Sequence, residues 1–340
     1  MKKDVSLSEV ARAAGVSIAA ASRALNGRDG VREEIRERVK ATASSLGYRP
    51  NRSARSLAGG RAGVIALILD VNQLRYGRYA SELLRALSYA AASRDEGVLL
   101  VGESGRSPSD AMQNLMRDGI VDGVVISAVA FGEVWVEEVI DAEIPTVLVG
   151  AHPRRSGVPV VDVDNYSPCR LLVSQLAESG CERIATITGR LGRVDAQVRL
   201  EGYYQGLRDA GRQVDPSLVF EGDFNRRSGM RLADSVLASN ADAVFCANDE
   251  MALGLYGALH SRGVSIPDDI SIAGFDCTAR FEYRAPDLTS IEPQWDELAG
   301  SVFQAMTAML DGDEVEIEQV VPAKIYCGET TRPLPGDATD

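Results

Sequence analysis

The chain has 340 residues, 45% of them hydrophobic and 25% charged, with 36 Lys+Arg against 49 Asp+Glu and a formal net charge of -13. This is an ordinary globular composition, long enough for two or three domains and a sizeable core. The negative sum argues against a nucleic-acid partner only until it is divided along the chain. Residues 1–61 hold thirteen Lys or Arg and six Asp or Glu, for +7, and the remaining 279 residues carry −20. A basic head on an acidic body suggests a polyanion-binding module joined to something else. The start, MKKDVSLSEVARAAG, has no apolar stretch after its lysines and does not read as a secretory signal. Apolar runs such as AGVIALIL are too short to span a bilayer. Five widely spaced cysteines without a CxxC favour free thiols and a cytoplasmic setting. Two histidines, no phosphate loop and no GxGxxG speak against a zinc site, a Ser-His-Asp triad or a nucleotide enzyme, so neither catalysis nor a cofactor is expected.

In chain order, Ser6-Leu7-Ser8-Glu9 reads as a capping box opening a helix through Ala14, which Gly15 ends. Ser17 caps a second helix running to about Asn26, and Gly27 supplies the exit. A third stretch, about Arg32 to Leu46, places Ile35, Val39, Thr42 or Ala43, and Leu46 on one face, with Gly47 closing it. Two short helices joined by a Gly-containing turn, followed by a third, form a helix-turn-helix. The alternative is a small helical cap on a larger domain. The positive charge and the alanine-rich second helix weigh against it, because small residues let a helix approach closely.

The stretches VSLSEVARAAGVSIAAASRALNG and LGYRPNRSARSLAGGRAGVIALI together resemble the LacI/GalR family of bacterial transcription regulators. The resemblance implies base contacts from Ile18, Ala19 and Arg23. An arginine can bond guanine O6 and N7 at once, whereas Ile18 and Ala19 have no hydrogen-bonding side-chain groups and read shape or thymine methyls. Helix packing is the competing role for those two. The resemblance also implies phosphate contacts from Ser17, Ser22, Asn26, Tyr48 and Asn51, which set register without carrying sequence information. Two departures stand out. Ala20 occupies a position where the family usually has Thr, and Arg32 one where a capping Ser is usual. Residues 51–59, NRSARSLAG, are too short and polar to hold a helix alone. By composition they are a linker. The resemblance implies a hinge helix that forms on DNA, with Ala54 and Leu57 entering the minor groove and Leu57 wedging a base step.

From Gly63 onward, apolar runs alternate with helical stretches. Strands are expected at Val64–Leu69, Val98–Val101, Val124–Ile126, Thr146–Val149 and Val160–Val163, with helices near 79–94, 108–118 and 133–142. The rhythm restarts with strands Ile184–Ile187, Leu218–Glu221, Ala243–Cys246 and Ile270–Phe275 and helices near 165–179, 195–211, 227–239 and 250–262. A last helix near 294–310 and a strand near 318–326 return to the lobes, and the tail after Arg332 is expected to be loose. The fold class is therefore α/β: a helix-turn-helix head and hinge, then a two-lobed core of parallel sheets flanked by helices. The expected domains are 1–50 for the head, 51–61 for the hinge, 62–163 for the first lobe with a return near 293–322, 164–292 for the second with a return near 323–334, and a tail at 335–340. The resemblance makes that core periplasmic-binding-protein-like.

Ligands of open parallel sheets sit beyond the carboxyl ends of the strands. The polar residues there, with aromatics, suit a polyhydroxylated ligand, whose hydroxyls both donate and accept. RLEGYYQGL, CANDEMALG and IAGFDCT resemble stretches that line the family's effector pocket. The resemblance gives Arg199, Asn248 and Asp276 as ligand holders and Phe224 as a stacking ring. Asp70 and Tyr79 join them at the rim of the first lobe. Plainer roles stay open: Asp70 as a strand-end turn residue, Arg199 as an interface partner. Neighbouring Asp249 reads as a cap for the helix that follows. The departures bear on the ligand: Gly150 and Cys277 stand where acids are common, and Cys181 where His is frequent. Arg75 and Arg78 leave room for a phosphorylated or acidic effector.

The resemblance implies a cytoplasmic repressor that binds a pseudo-palindromic operator in double-stranded DNA as a homodimer and is released by a small effector, a carbohydrate or its derivative. The alternatives are a regulator answering to a nucleoside, an acidic ligand or a protein co-regulator, and a transport solute-binding protein, which the basic head disfavours. Leu83, Leu84, Leu87 and Tyr89 on the helix Ser81–Ala92 offer apolar surface for the dimer or for the core. No leucine heptad follows Arg332, and no membrane partner is expected.

Overall fold

The computed structural model describes residues 5–25, 29–48, 61–69, 78–102, 108–127, 134–150 and 158–335. The chain divides into two compact units, Met1–Ala62 and Gly63–Asp340.

The first unit holds α1 (Leu7–Ala14), α2 (Ile18–Leu25) and α3 (Glu33–Leu46). The capping box is present with both of its bonds. The Ser6 amide donates to Glu9 Oε2 at 2.7 Å, and the Glu9 amide donates to Ser6 Oγ at 3.3 Å. Gly15 ends α1 and Gly47 ends α3, each in the left-handed region at φ 66° and 67°. Ser17 Oγ accepts from the Ala20 amide at 3.1 Å, opening α2. Arg32 makes no side-chain cap bond to α3, as its side chain lacks an acceptor. The core is small and alanine-rich: Val10, Ala11, Ala14, Ala21, Ala24, Val39 and Ala43. Leu46, expected on the inner face of α3, is exposed instead. Val39 and Ala43 fill that face, and Leu46 falls in the final turn.

The second unit contains two six-stranded sheets. The first has β1 (Val64–Ile68), β2 (Gly97–Val101), β3 (Gly123–Ser127), β4 (Thr146–Val149), β5 (Val160–Val163) and β11 (Glu318–Val321). The second has β6 (Ile184–Thr188), β7 (Val219–Glu221), β8 (Ala243–Cys246), β9 (Ser271–Phe275), β10 (Thr289–Pro293) and β12 (Ala323–Tyr326). The orders are β11-β5-β4-β3-β1-β2 and β12-β10-β9-β8-β6-β7, the same winding twice. Among the described residues all pairings are parallel except β10 with β12. The flanking helices are α4 (Tyr79–Ala92), α5 (Pro108–Arg117), α6 (Val134–Asp141), α7 (Ser167–Glu178), α8 (Val194–Asp209), α9 (Arg226–Ala238), α10 (Asp249–His260) and α11 (Trp295–Asp311). The central strands are buried on both faces, which is why VIALI and AVFC read as unbroken apolar runs.

Three features depart from expectation. β10 gives little sequence signal, because TSIEP carries one aliphatic residue and ends in proline. Thr289 and Ser290 are nevertheless fully buried in it. The single strand expected at 318–326 is two. Pro322, which has no N–H to give a ladder, separates β11 from β12, and each joins a different sheet. The tail after Arg332 stays packed as far as Pro335, with Leu334 buried and the Pro335 carbonyl accepting from Gln175 Nε2 at 2.9 Å.

Leu83 and Leu87 on α4 face the core rather than solvent, and Tyr89 alone of the expected surface residues is strongly exposed, at 68%. The cysteines are free thiols. Cys169, Cys181, Cys246 and Cys277 are buried, and burial raises the thiol pKa of Cys169 and Cys246. Among the described residues no helix is long and apolar enough to cross a membrane.

Candidate functional site

In the first unit, Ile18, Ala19 and Arg23 lie on the exposed side of α2, while Ala21 and Ala24 face inward. Ile18 is 56% exposed. Ser17 is exposed at the head of the same helix, and Ser22 and Tyr48 are half-buried at its flanks. The arrangement presents one helix face with a guanidinium, a hydroxyl and small apolar groups. Asn26, Asn51, Ala54 and Leu57 lie outside the described residues.

In the second unit, a narrow cleft opens at the carboxyl ends of the strands of both sheets. From the first sheet come Ile126, Leu148, Val149 and Gly150, with Tyr79 at the start of α4. From the second come Phe275, Asp276 and Pro293, with Arg193, Asp195 and Arg199 at and near the start of α8. Asp162 and Val163 on β5, followed by Asn165, complete the wall. Of the expected effector residues, Tyr79, Arg199 and Asp276 meet here. Asp70 lies outside the described residues, as does Arg75.

Arg199 is buried and held from three sides. Its Nε donates to Asn165 Oδ1 at 2.8 Å, its Nη1 donates to the Ala247 carbonyl, and its guanidinium lies 3.5 Å from the centroid of the Phe275 ring. Arg193 forks onto Asp195 through Nε (3.0 Å) and Nη2 (2.8 Å). Burial by itself would raise the Asp195 pKa, but this fork outweighs burial and lowers it. Asp162 accepts from the Val163 amide at 2.7 Å and from Asn165, yet burial pushes it up to about 6. Tyr79 bonds Ser127 Oγ at 3.2 Å and packs edge-on against Trp295, and burial pushes its hydroxyl up to about 12.

Asp276 follows β9 with φ 97°, a backbone conformation that side-chain-bearing residues seldom adopt. Its amide donates to the Ile291 carbonyl at 2.9 Å, and its side chain turns into the cavity at 5% exposure. Burial pushes its pKa up to about 8. Phe224, also at positive φ (63°), sets its ring over Gly189, 5.3 Å from the Arg193 guanidinium and 6.0 Å from that of Arg199. It therefore stands behind the two arginines rather than in the cavity wall.

Asn248 takes the capping role expected of Asp249 and is not a ligand holder in the cleft. Asn248 is the cap of α10, accepting from the Met251 amide at 3.0 Å, while its Nδ2 donates to the Phe224 carbonyl at 2.9 Å. It does not line the cavity. Asp249 is fully buried and accepts from the Thr278 and Ala279 amides and from Ser290 Oγ, fastening the turn that carries Asp276. The sequence reading missed Asp162, Asn165, Arg193 and Asp195. The run VVDVDN held the signal for the first two: an acid between inward valines at the end of a strand.

Comparison with known proteins bears on both units. Residues 6–51 match the bacterial regulatory proteins of the lacI family, and residues 173–331 match a periplasmic binding protein-like domain. The HTH-type transcriptional regulator CelR of Thermobifida fusca is 31% identical over 324 residues, covering 93% of this chain and 94% of CelR. The chain belongs to the LacI family. A solved CelR–cellobiose complex superimposes with a TM-score of 0.70 at 28% identity, covering 96% of this chain and 99% of that one. The lac repressor dimer bound to operator and the anti-inducer ONPF gives 0.78 at 28%, covering 97% and 100%. Like these LacI-family relatives, the protein is a DNA-binding transcription regulator.

Proposed function

We propose that this LacI-family regulator is a repressor that grips a pseudo-palindromic operator as a homodimer and releases it when a sugar or sugar derivative fills the cleft. The observation that carries the reading is the convergence of Asp162, Asn165, Arg199 and Asp276 with the Phe275 ring at the carboxyl ends of both sheets. Such a set offers acceptors and donors around an apolar face, which is what a polyhydroxylated ring requires. CelR with cellobiose is a relative of this build. The protein acts by binding rather than catalysis, in the cytoplasm.

Arg23 reads a base edge, Ile18 and Ala19 read shape or thymine methyls, and Ser17, Ser22, Asn26, Tyr48 and Asn51 bond phosphates. Ala54 and Leu57 enter the minor groove. Tyr79, Arg199 and Asp276 hold the effector directly, and Asp70 is a further effector ligand. Phe224 braces the arginines, and Asn248 fixes the backbone of Phe224. The two copies meet through Tyr89 on α4 and through Met230, Phe281 and Tyr283 of the second lobe, which are 68%, 53%, 48% and 86% exposed in the single chain. Effector and operator binding are reciprocally coupled, typically by about 1–3 kcal/mol.

The test is a gel-shift titration on operator fragments selected from random DNA, at two salt concentrations and with a panel of sugars. Affinity is expected to fall steeply with salt, and one panel member to release the DNA. A flat salt response refutes phosphate gripping by the head. Release by no panel member refutes the sugar reading.

A further inference from the structure

We propose that the segment Gly336–Asp340 docks as an added strand in a groove between α7 and the outer edge of β12, clamped at its start by the side-chain amide of Gln175. The groove is separate from the cleft, and the two share no lining residue.

One wall of the groove is a strand edge. β12 ends its sheet and pairs with β10 on one side only. Every residue from Ala323 to Cys327 lines the groove. Successive side chains of a strand point to opposite faces, so an unbroken run means that the groove follows the backbone edge, where alternate residues turn their amides and carbonyls away from β10. The other wall is a stripe of α7, made by Ser167, Pro168, Leu171 and Gln175 at helical spacing, with Leu171 52% exposed. A bare strand edge beside apolar surface invites pairing with another chain, so covering it protects the molecule.

The clamp names the occupant. Gln175 Nε2 donates to the Pro335 carbonyl at 2.9 Å, and Pro335 itself lines the groove. A carbonyl accepts only from a donor, so this bond fixes which end of the side-chain amide is oxygen. That oxygen, Oε1, is buried and meets no donor among the described residues. In an extended chain the N–H of a residue lies on the same edge as the carbonyl two residues before it. An amide that donates to the carbonyl of residue 335 and accepts from the N–H of residue 337 repeats the bonding of one residue in a parallel ladder. Asp337 therefore supplies the missing donor, and the backbone groups of Gly336 and Ala338 turn towards β12. Five extended residues reach about 17 Å, enough to cover the roughly 13 Å of β12. Gly336 and Ala338 fall on one face of such a segment and polar Asp337 and Thr339 on the other, so the small face can lie on the groove while the polar face meets water. Asp164, directly after β5, and Ala323, two residues after β11, also line the groove. The docked strap thus ties together two of the connections between the lobes.

Cys327 reports on the groove. It lines it and is half-buried, whereas the other four cysteines are buried. Maleimide labelling of Cys327, located by peptide mass spectrometry, is timed for the full chain, for the chain cut after Pro335, and for Asp337→Pro and Asp337→Ala. Loss of the segment is expected to speed labelling at least tenfold. Asp337→Pro removes the N–H and should do the same, while Asp337→Ala keeps it and should label as the full chain does. Equal rates for the full and the shortened chain overturn the proposal, as does Asp337→Pro labelling no faster than Asp337→Ala. Labelling of the full chain should not depend on protein concentration. Protection that grows with concentration gives the groove to a second copy and overturns the proposal too. Thermal melting checks that each variant is folded; should the shortened chain fail to fold, the two Asp337 variants decide.

Discussion

Removing the Asp249 carboxylate is expected to loosen the second lobe at the turn that carries Asp276. Asp249 is 0% exposed and receives the Thr278 amide at 2.6 Å, the Ala279 amide at 3.0 Å and Ser290 Oγ at 2.6 Å. Asp249→Ala strands two backbone N–H groups and a hydroxyl in a region where Thr278, Ala279 and Ser290 are themselves buried. A stranded buried donor costs about 1–3 kcal/mol, so the three together cost roughly 4–6 kcal/mol before relaxation. Part of this is returned. Burial holds the Asp249 pKa up at about 6, so the carboxylate is itself costly to keep ionised, and its removal also relieves Glu250 and Asp276. A net loss of about 3–4 kcal/mol remains, which for a unit of this size lowers the melting temperature by on the order of 10 °C. Thermal melting followed by far-UV circular dichroism reads the loss. A double-mutant cycle with Ser290→Ala should show coupling above about 0.5 kcal/mol, because both changes remove the same bond. A loss below about 1 kcal/mol, or strict additivity with Ser290→Ala, refutes the reasoning.

Ser6→Ala removes the capping box and should cost about 1 kcal/mol, seen as faster amide exchange at Glu9 and Val10; unchanged exchange there would deny the cap its role. Arg23→Ala should lose about 1–3 kcal/mol on the selected operator and relax selection at one base pair in each half-site. Equal weakening on every DNA sequence, read by competition gel shift, would make Arg23 a phosphate contact instead. Gly189→Ala places a methyl where the Phe224 ring lies, so the ring must move from behind Arg193 and Arg199. Folding should persist while the sugar titration shifts by tenfold or more; an unshifted titration would remove Phe224 from the site's support.

Whatever local rules control is legible in the residues of this chain. Ser6, Glu9, Gly15, Ser17 and Gly47 act within a few positions of themselves, so the three helices of the head can be read from the amino-acid order. The apolar runs from Val64 to Phe275 are equally plain, because strands buried on both faces must be continuously apolar. The family resemblance adds Arg199 and Asp276. Features that depend on distant partners emerge only once the chain is folded. β10 exists because β9 and β12 flank TSIEP on either side, a pairing that a segment with one aliphatic residue does not announce. Pro322 divides one expected strand between two sheets because its neighbours on either side meet different partners. Asn248 becomes the cap and Asp249 a buried turn fastener because folding brings the 276–279 turn against α10. The net charge of -13 divides likewise. Its split at residue 61 is written in the chain, but the meeting of Asp162, Arg199 and Asp276 in one cleft arises only where α8, β5 and the end of β9 converge.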